Sequence, residues 1–358
     1  MQRTHARIGV AVLALAALAA WPAGAQQSFK LTIISGNAPA FTPVGTAATV
    51  FVPKVDELLA RTGKYKIAWV QGFSGTVVKV RGELEGVQTG LGDVGMVPGP
   101  LFPDKMTLYQ IGYNTPFVTK DLRVVTEGMN YLMAKFPEMG GQIEKFNQVA
   151  LKAGGVADNY VLFTKREVKR FADLKGMKIG AVGPNQPWVA AAGAVPVSTE
   201  LPTQYNAMQT GVFEGLVQWQ QAYAAFKMCE IGPYRLEADF GGISNGLITV
   251  NKDTWAKLPD EVKAAMREAA EVWAKETDNR IIAASEQGLQ RCLKENNMKV
   301  TTLTPEDRRA WAFAMPNVAQ AWAKREDAAG LPGSKILSAW MDFMREKKQP
   351  IVRHWDRE

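Results

Sequence analysis

Along most of this chain, short apolar runs alternate with amphipathic stretches, and each switch is marked by glycine or proline. The clearest example is the segment 171–219. Met177 to Val182 is an apolar run flanked by Gly176 and Gly183, which predicts a buried strand. Gly183-Pro184-Asn185 turns the chain, 188–192 suits a short helix, and 194–197 a second strand. In 203–211, Tyr205, Met208 and Gln209 recur at helical spacing and Gly211 releases the helix. Residues 216–219 form a third run. Consecutive β-α-β units impose parallel strands and right-handed crossovers, and open sheets of this kind take ligands at the carboxyl ends of their strands. The loops near 180–186 and 218–223 reach such a rim, so a small-molecule pocket is expected there.

The amino-terminal part repeats this grammar. Strands are expected at 31–35, 65–70 and 94–97, with helices over 46–61 and 77–89. In the latter, Leu84, Val87 and Leu91 face inward while Arg81, Glu83 and Glu85 are solvated. Helices follow over 121–135 and 140–147. A strand at 148–153 is expected to cross from the first half to the second, where a strand at 160–164 follows. The strand at 246–251 returns to the first half. Residues 259–297 form the longest helix, with Pro259 at its first position and Asp260 and Glu261 at the positive end of its dipole. At about 1.5 Å per residue it spans roughly 55 Å and braces both halves. A final strand (298–303) and helices close the chain. The fold class is therefore α/β in two halves.

Composition narrows the function. A chain of 358 residues with 47% apolar and 22% charged positions is globular material for about two domains. Residues 1–25 have the three parts of a secretory signal: Arg3 and Arg7, an apolar run from Ile8 to Ala20, and the small residues Ala23-Gly24-Ala25. Cleavage near Ala25 sends the mature protein out of the cytoplasm; a retained N-terminal anchor is the alternative. Removing Arg3 and Arg7, with no acid lost, lowers the net charge from +7 to +5. The basic residues are dispersed, which argues against nucleic acid as a partner. Cys229 and Cys292 form a structural disulfide or remain as thiols, Cys292 being at a core-like helical position. There are two histidines: His5 leaves with the signal and His354 lies in a charged, frayed tail. Ser-His-Asp and Cys-His catalysis and His-ligated zinc are thereby excluded, and no cofactor is expected. Gly90, Gly92 and Gly95 spell G-x-G-x-x-G, but a helix precedes them and a strand follows, the reverse of a dinucleotide fingerprint, so they read as a turn.

Several stretches together resemble one family. They are Pro116-Phe117, DLKGMKI (173–179), Tyr205-x-Ala-Met-Gln-Thr-Gly-Val-x-x-Gly215, and Val250-Asn-Lys-x-x-Trp-x-x-Leu-Pro259. With the signal and the long helix, their order and spacing are similar over nearly the whole mature chain to DctP-type periplasmic solute-binding subunits of TRAP (tripartite ATP-independent periplasmic) transporters. The resemblance implies a type II-like, two-lobed periplasmic-binding-protein fold with a long interlobe bracing helix. It places lobe 1 at 26–149 with a return at about 245–275, and lobe 2 at 150–240 with a return at about 298–330. The bracing helix is 259–297, and a C-terminal helix and tail occupy 331–358. It implies three interlobe crossings and a binding protein, not an enzyme. Its partners would be a small-molecule solute and TRAP membrane permease subunits, and it would work as a periplasmic monomer. A secreted enzyme or an ABC-importer binding protein on a similar scaffold are the alternatives.

The departures from the family bear on the ligand. The arginine that usually follows the DLKG-x-K-I strand and forks onto a carboxylate is Gly180 here. A second cationic position aligns with Asp158-Asn159, an acid of some relatives with Pro98, and a frequent Asn with Gln218. Three ligand classes stay open. An organic acid would be held by a displaced cation or by backbone donors near Gly180. A neutral solute would lie among Asn159, Gln218, Asn245 and the rings of Phe41, Phe73, Trp188 or Trp219. A cation would sit beside Asp158. Gln220 and Gln221 read as solvated.

Overall fold

A computed structural model describes residues 26–358; the expected signal segment lies outside the described residues. The strands are β1 (Gln27–Ile34), β2 (Tyr65–Gly72), β3 (Val94–Pro98), β4 (Gln148–Gly154), β5 (Ala157–Thr164), β6 (Lys178–Ala181), β7 (Val195–Ser198), β8 (Gly215–Trp219), β9 (Tyr234–Ile243), β10 (Gly246–Asn251) and β11 (Lys299–Thr302). They form two sheets, in the orders β2-β1-β3-β10-β4 and β11-β9-β5-β8-β6-β7. This is the two-lobed α/β architecture expected from the sequence.

Each sheet runs one way apart from a single reversed strand. β10 is antiparallel to β3 and β4, and β5 is antiparallel to β8 and β9. These are the strands that the chain enters on crossing between sheets. The links into them are only Gly155-Val156 and Ser244-Asn245. A chain that leaves one sheet at its carboxyl rim and crosses so short a link must start at the facing rim of the other and run back. The carboxyl ends of β1, β2, β3 and β4 therefore face those of β6, β7, β8 and β9.

The third connection is the helix Asp260–Glu295, 36 residues and so about 54 Å long. Its Trp273 lies in the first lobe's core and donates its indole N–H to the Pro43 carbonyl at 3.0 Å. Its Cys292 lies in the second lobe's core, bonded to Cys229, and Arg291 donates to the Ala224 carbonyl. The alternative of free thiols is thereby decided in favour of the disulfide.

Local departures from the sequence reading have physical causes. The helix expected over 77–89 is confined to Glu83–Gln88, because Arg81 adopts φ 72° and Gly82 caps the start. Leu91 lies beyond the helix end, where helical period no longer applies, and is 60% exposed. Glu83 is fully buried, since its carboxylate folds back to accept the Gly36 N–H at 3.0 Å. The strand at 148–154 stays in the first sheet, paired with β10, and the crossing falls just after it. Gly90 has φ 77° in a helix-to-strand turn, as expected. The tail is not frayed: Trp355 is fully buried and donates to the Pro116 carbonyl at 2.7 Å. Among the described residues, no helix is long and apolar enough to cross a membrane.

Candidate functional site

The facing rims carry a box of aromatic rings. The turn Gly183–Asn185 after β6 starts the helix Gln186–Ala191 and delivers Trp188, which is buried. Its indole N–H donates to the Tyr113 carbonyl at 3.1 Å, and its ring stacks on Phe240 at 5.0 Å and 23°. Tyr160, near the start of β5, presents its ring edge-on to both Trp188 (5.7 Å) and Trp219 (5.5 Å), the last residue of β8. The Tyr113 and Tyr160 hydroxyls bond to each other at 3.1 Å. Burial pushes both phenols above their ordinary range, so they stay neutral and can donate.

Buried amides accompany the rings. Asn245, in the second link, is fully buried; its Nδ2 donates to the Tyr109 carbonyl at 3.2 Å and its Oδ1 has no partner. Gln110 donates to the carbonyls of Gly99 and Met106, and its Oε1 has no partner. Gly99 is shared by the two, its N–H donating to the Asn245 carbonyl at 3.0 Å. A Cβ at Gly99 would stand 2.3 Å from that oxygen, so only glycine permits the approach. Asn185 is fully buried with both amide atoms unpaired, in a turn that packs on the helix Ile111–Asn114, which follows Gln110 directly. A buried polar atom without a partner costs about 1–3 kcal/mol. Four such atoms, Gln110 Oε1, Asn245 Oδ1 and Asn185 Oδ1 and Nδ2, belong to segments at the facing rims.

The other expected residues are placed as follows. Phe41 and Phe73 lie on the loops after β1 and β2 and pack into the first lobe's own core. The Gln218 amide is used internally, donating to Gln204 Oε1 at 2.6 Å and accepting from the Trp219 N–H. Asn159 bridges a bulge, donating to Asp239 at 2.7 Å and accepting from the Gly241 N–H. Gly180 is in β6, and a Cβ there would meet Phe213 and Leu216 at 2.9–3.0 Å, within the second lobe's apolar core. Asp158 is buried and accepts from Ser285 Oγ at 2.6 Å and the Gln221 N–H at 3.3 Å, so its carboxylate is committed to the protein. Gln220 is buried, not solvated, and accepts from Arg235 at 2.9 Å.

Sequence reasoning brought Trp188, Trp219 and Asn245 to the rims and missed Gln110, Tyr113, Tyr160 and Asn185 as partners. Asn185 and Tyr160 border rim segments that the strand pattern does mark. Gln110 and Tyr113 lie in an irregular stretch with no periodic signal.

Residues 34–326 match DctP, the bacterial extracellular solute-binding proteins of family 7. The chain belongs to this family. Its members are solute-binding proteins, not enzymes. The C4-dicarboxylate-binding periplasmic protein DctP of Rhodobacter capsulatus is 30% identical over 152 residues, 42% of this chain and 44% of the relative. The match thus spans less than half of that protein. Among solved structures, a TRAP periplasmic solute-binding protein of Desulfovibrio salexigens has a TM-score of 0.77 at 20% identity, covering 89% of this chain and 96% of the other. That protein is an open complex with the C-terminus of a symmetry mate in its ligand-binding site. DctP7 of Bordetella pertussis, an extracytoplasmic solute receptor binding pyroglutamic acid, has a TM-score of 0.71 at 20% identity, covering 87% and 99%. These likenesses establish the fold of this DctP-family chain.

Proposed function

We propose that this protein is a periplasmic receptor, freed of residues 1–25 and monomeric, that captures a small organic acid between its lobes and delivers it to TRAP permease subunits. The observation that carries the reading is the convergence of unpaired buried amides and aromatic rings where the two sheets face each other. Trp188, Trp219, Tyr113 and Tyr160 form the walls, and Asn245, Gln110 and Asn185 supply the polar contacts. Phe41 and Phe73 flank the first-lobe rim, Gln218 and Asn159 hold the second-lobe loops in place, and Gly180 puts no side chain where the family's arginine would stand. Family membership supports the receptor role, and the acids named for its relatives support the ligand class.

A neutral polar solute is the second reading, favoured by amides in place of a buried cation at the rims. A thermal-shift screen of the mature protein against acids and their matched amides separates the two. A solute at a hundred times its dissociation constant stabilises by about 2.7 kcal/mol. Acids alone should raise the melting temperature, and small-angle scattering at saturation should show a smaller radius of gyration. Equal response to the amides selects the neutral reading, and an unchanged radius rejects lobe closure.

A further inference from the structure

With Gly180 in place of the expected arginine, an acidic solute needs another cation within reach of the rims. Arg235 is a poor candidate: it is buried, it bonds to Gln220 and Glu237, and its strand position pairs with Phe163, three residues beyond Tyr160 and away from the rim. Arg81 is better placed. It follows the loop after β2, and its Nη1 donates at 3.2 Å to the Leu101 carbonyl, in the same turn whose Gly99 touches Asn245 and Gln110. Its Nη2 donates at 2.9 Å to Glu200 Oε1, just beyond the carboxyl end of β7 in the other lobe.

The guanidinium therefore stands between the rims and already grips a carboxylate there. Its backbone is built for the position: φ is 72°, a conformation sparsely populated by residues other than glycine and held only where the surroundings fix it. The buried Glu83 carboxylate lies close to the Arg81 N–H while it accepts that of Gly36. The pair itself is weak. Arg81 and Glu200 side chains are 48% and 66% exposed, and they meet through one N–O contact, leaving Nε free for a two-pronged grip.

We infer that Arg81 is the residue that reads the solute's carboxylate, and that Glu200 is the internal carboxylate with which the solute competes. The inference rests on the organic-acid reading above. It makes the protein selective for a monoanionic head group presented at the cleft mouth, with the rest of the solute among the rings and amides.

The test uses the mature chain with four matched pairs: pyroglutamate and pyroglutamamide, benzoate and benzamide, lactate and lactamide, malate and malamide. Affinities are measured by calorimetry for wild type, Arg81→Gln and Glu200→Gln, whose exposed side chains should leave the unliganded melting temperature unchanged. Arg81→Gln should weaken the best acid by about 10- to 100-fold, the worth of a hydrogen bond to a charged group. Glu200→Gln should tighten the same acid several-fold, which a merely structural residue would not do. If both variants bind that acid within twofold of wild type, Arg81 is not the reader and the receptor reading stands. If wild type binds the amides as well as the acids, the inference falls while the neutral reading survives. If wild type binds no acid of the panel, the organic-acid reading and the inference fall together.

Discussion

The carboxylate of Asp278, on the long helix, accepts the backbone N–H of Gly155, in the first interlobe link, at 3.0 Å. One hydrogen bond thus ties two of the three connections together. Beside it, Thr126 bonds to Ser244 of the other link at 2.9 Å. Asp278 also lines a cavity of about 570 Å³ between the helix Leu122–Lys135, β4 and the long helix. Burial pushes its carboxyl up to about 7, outweighing the Thr126 hydroxyl, the Gly155 N–H and the Arg123 charge that lower it. A carboxyl whose folded pKa is raised favours folding while protonated, so its contribution is complete below about pH 4 and is lost as the pH rises to 7. Asp278→Asn keeps the acceptor and removes the charge. It should be more stable than wild type by about 2–4 kcal/mol at pH 8, with the gap closing toward pH 4 in urea titrations. An equal gap at both pH values would show that the carboxyl is not protonated in the fold.

Glu83 offers a comparison of charge with hydrogen bonding. Burial raises its pKa, against the N–H groups of Glu83 itself, Gly36 and Arg81. Glu83→Gln retains the acceptor and should melt within a few degrees of wild type at pH 7. Glu83→Ala orphans the Gly36 N–H and should cost about 1–3 kcal/mol. Equal melting of the two variants would remove the carbonyl-like role assigned here.

The Cys229–Cys292 bridge closes a loop of 63 residues, and its Cα atoms are 5.6 Å apart. In the chain-entropy account a loop of this size stabilises by about 4 kcal/mol. The double variant Cys229→Ser with Cys292→Ser should therefore melt well below the oxidised protein, and reductant should lower the wild-type midpoint but not the variant's.

Trp355 anchors the tail. Its ring is fully buried, its indole donates to Pro116, and the Arg353 guanidinium lies 4.1 Å from it. Trp355→Ala should cost about 3–5 kcal/mol, the usual range for emptying a buried tryptophan site. Limited proteolysis should then cut the tail at Arg353, which in the intact protein is held by the Ala312 and Met315 carbonyls.

What could be read in the sequence follows from how local each cause is. The strands bounded by glycine, and the long helix begun by Pro259-Asp260-Glu261, are set by neighbouring residues and appear where expected. The two lobes follow from their repeated β-α-β order. Glu83 departs from the expected helix face because a left-handed Arg81 delays the helix start, and nothing in an arginine announces that conformation; Leu91 departs because the helix ends at Gln88, before it. The tail reads as frayed because four of the last six residues are charged, while the partner that anchors Trp355 lies 239 positions earlier. At the site, Trp188 and Trp219 follow from strand ends, whereas Gln110 joins Gly99 and Asn245 only through tertiary contact.

The two links between the sheets are not independent strings. Val156 N–H donates to the Ile243 carbonyl at 2.8 Å, Gly246 pairs with Gly154, and Ala157 pairs with Ile243. Two residues each, they run side by side between strand ends that are paired to one another. The long helix, clamped to a core at each end, resists twist about the line joining the lobes. The lobe closure proposed above must therefore pivot at these paired links, the two shortest connections between the sheets. In that proposed motion Arg81 and Glu200, on opposite lobes, form the moving edge, while Asn245 belongs to the pivot itself.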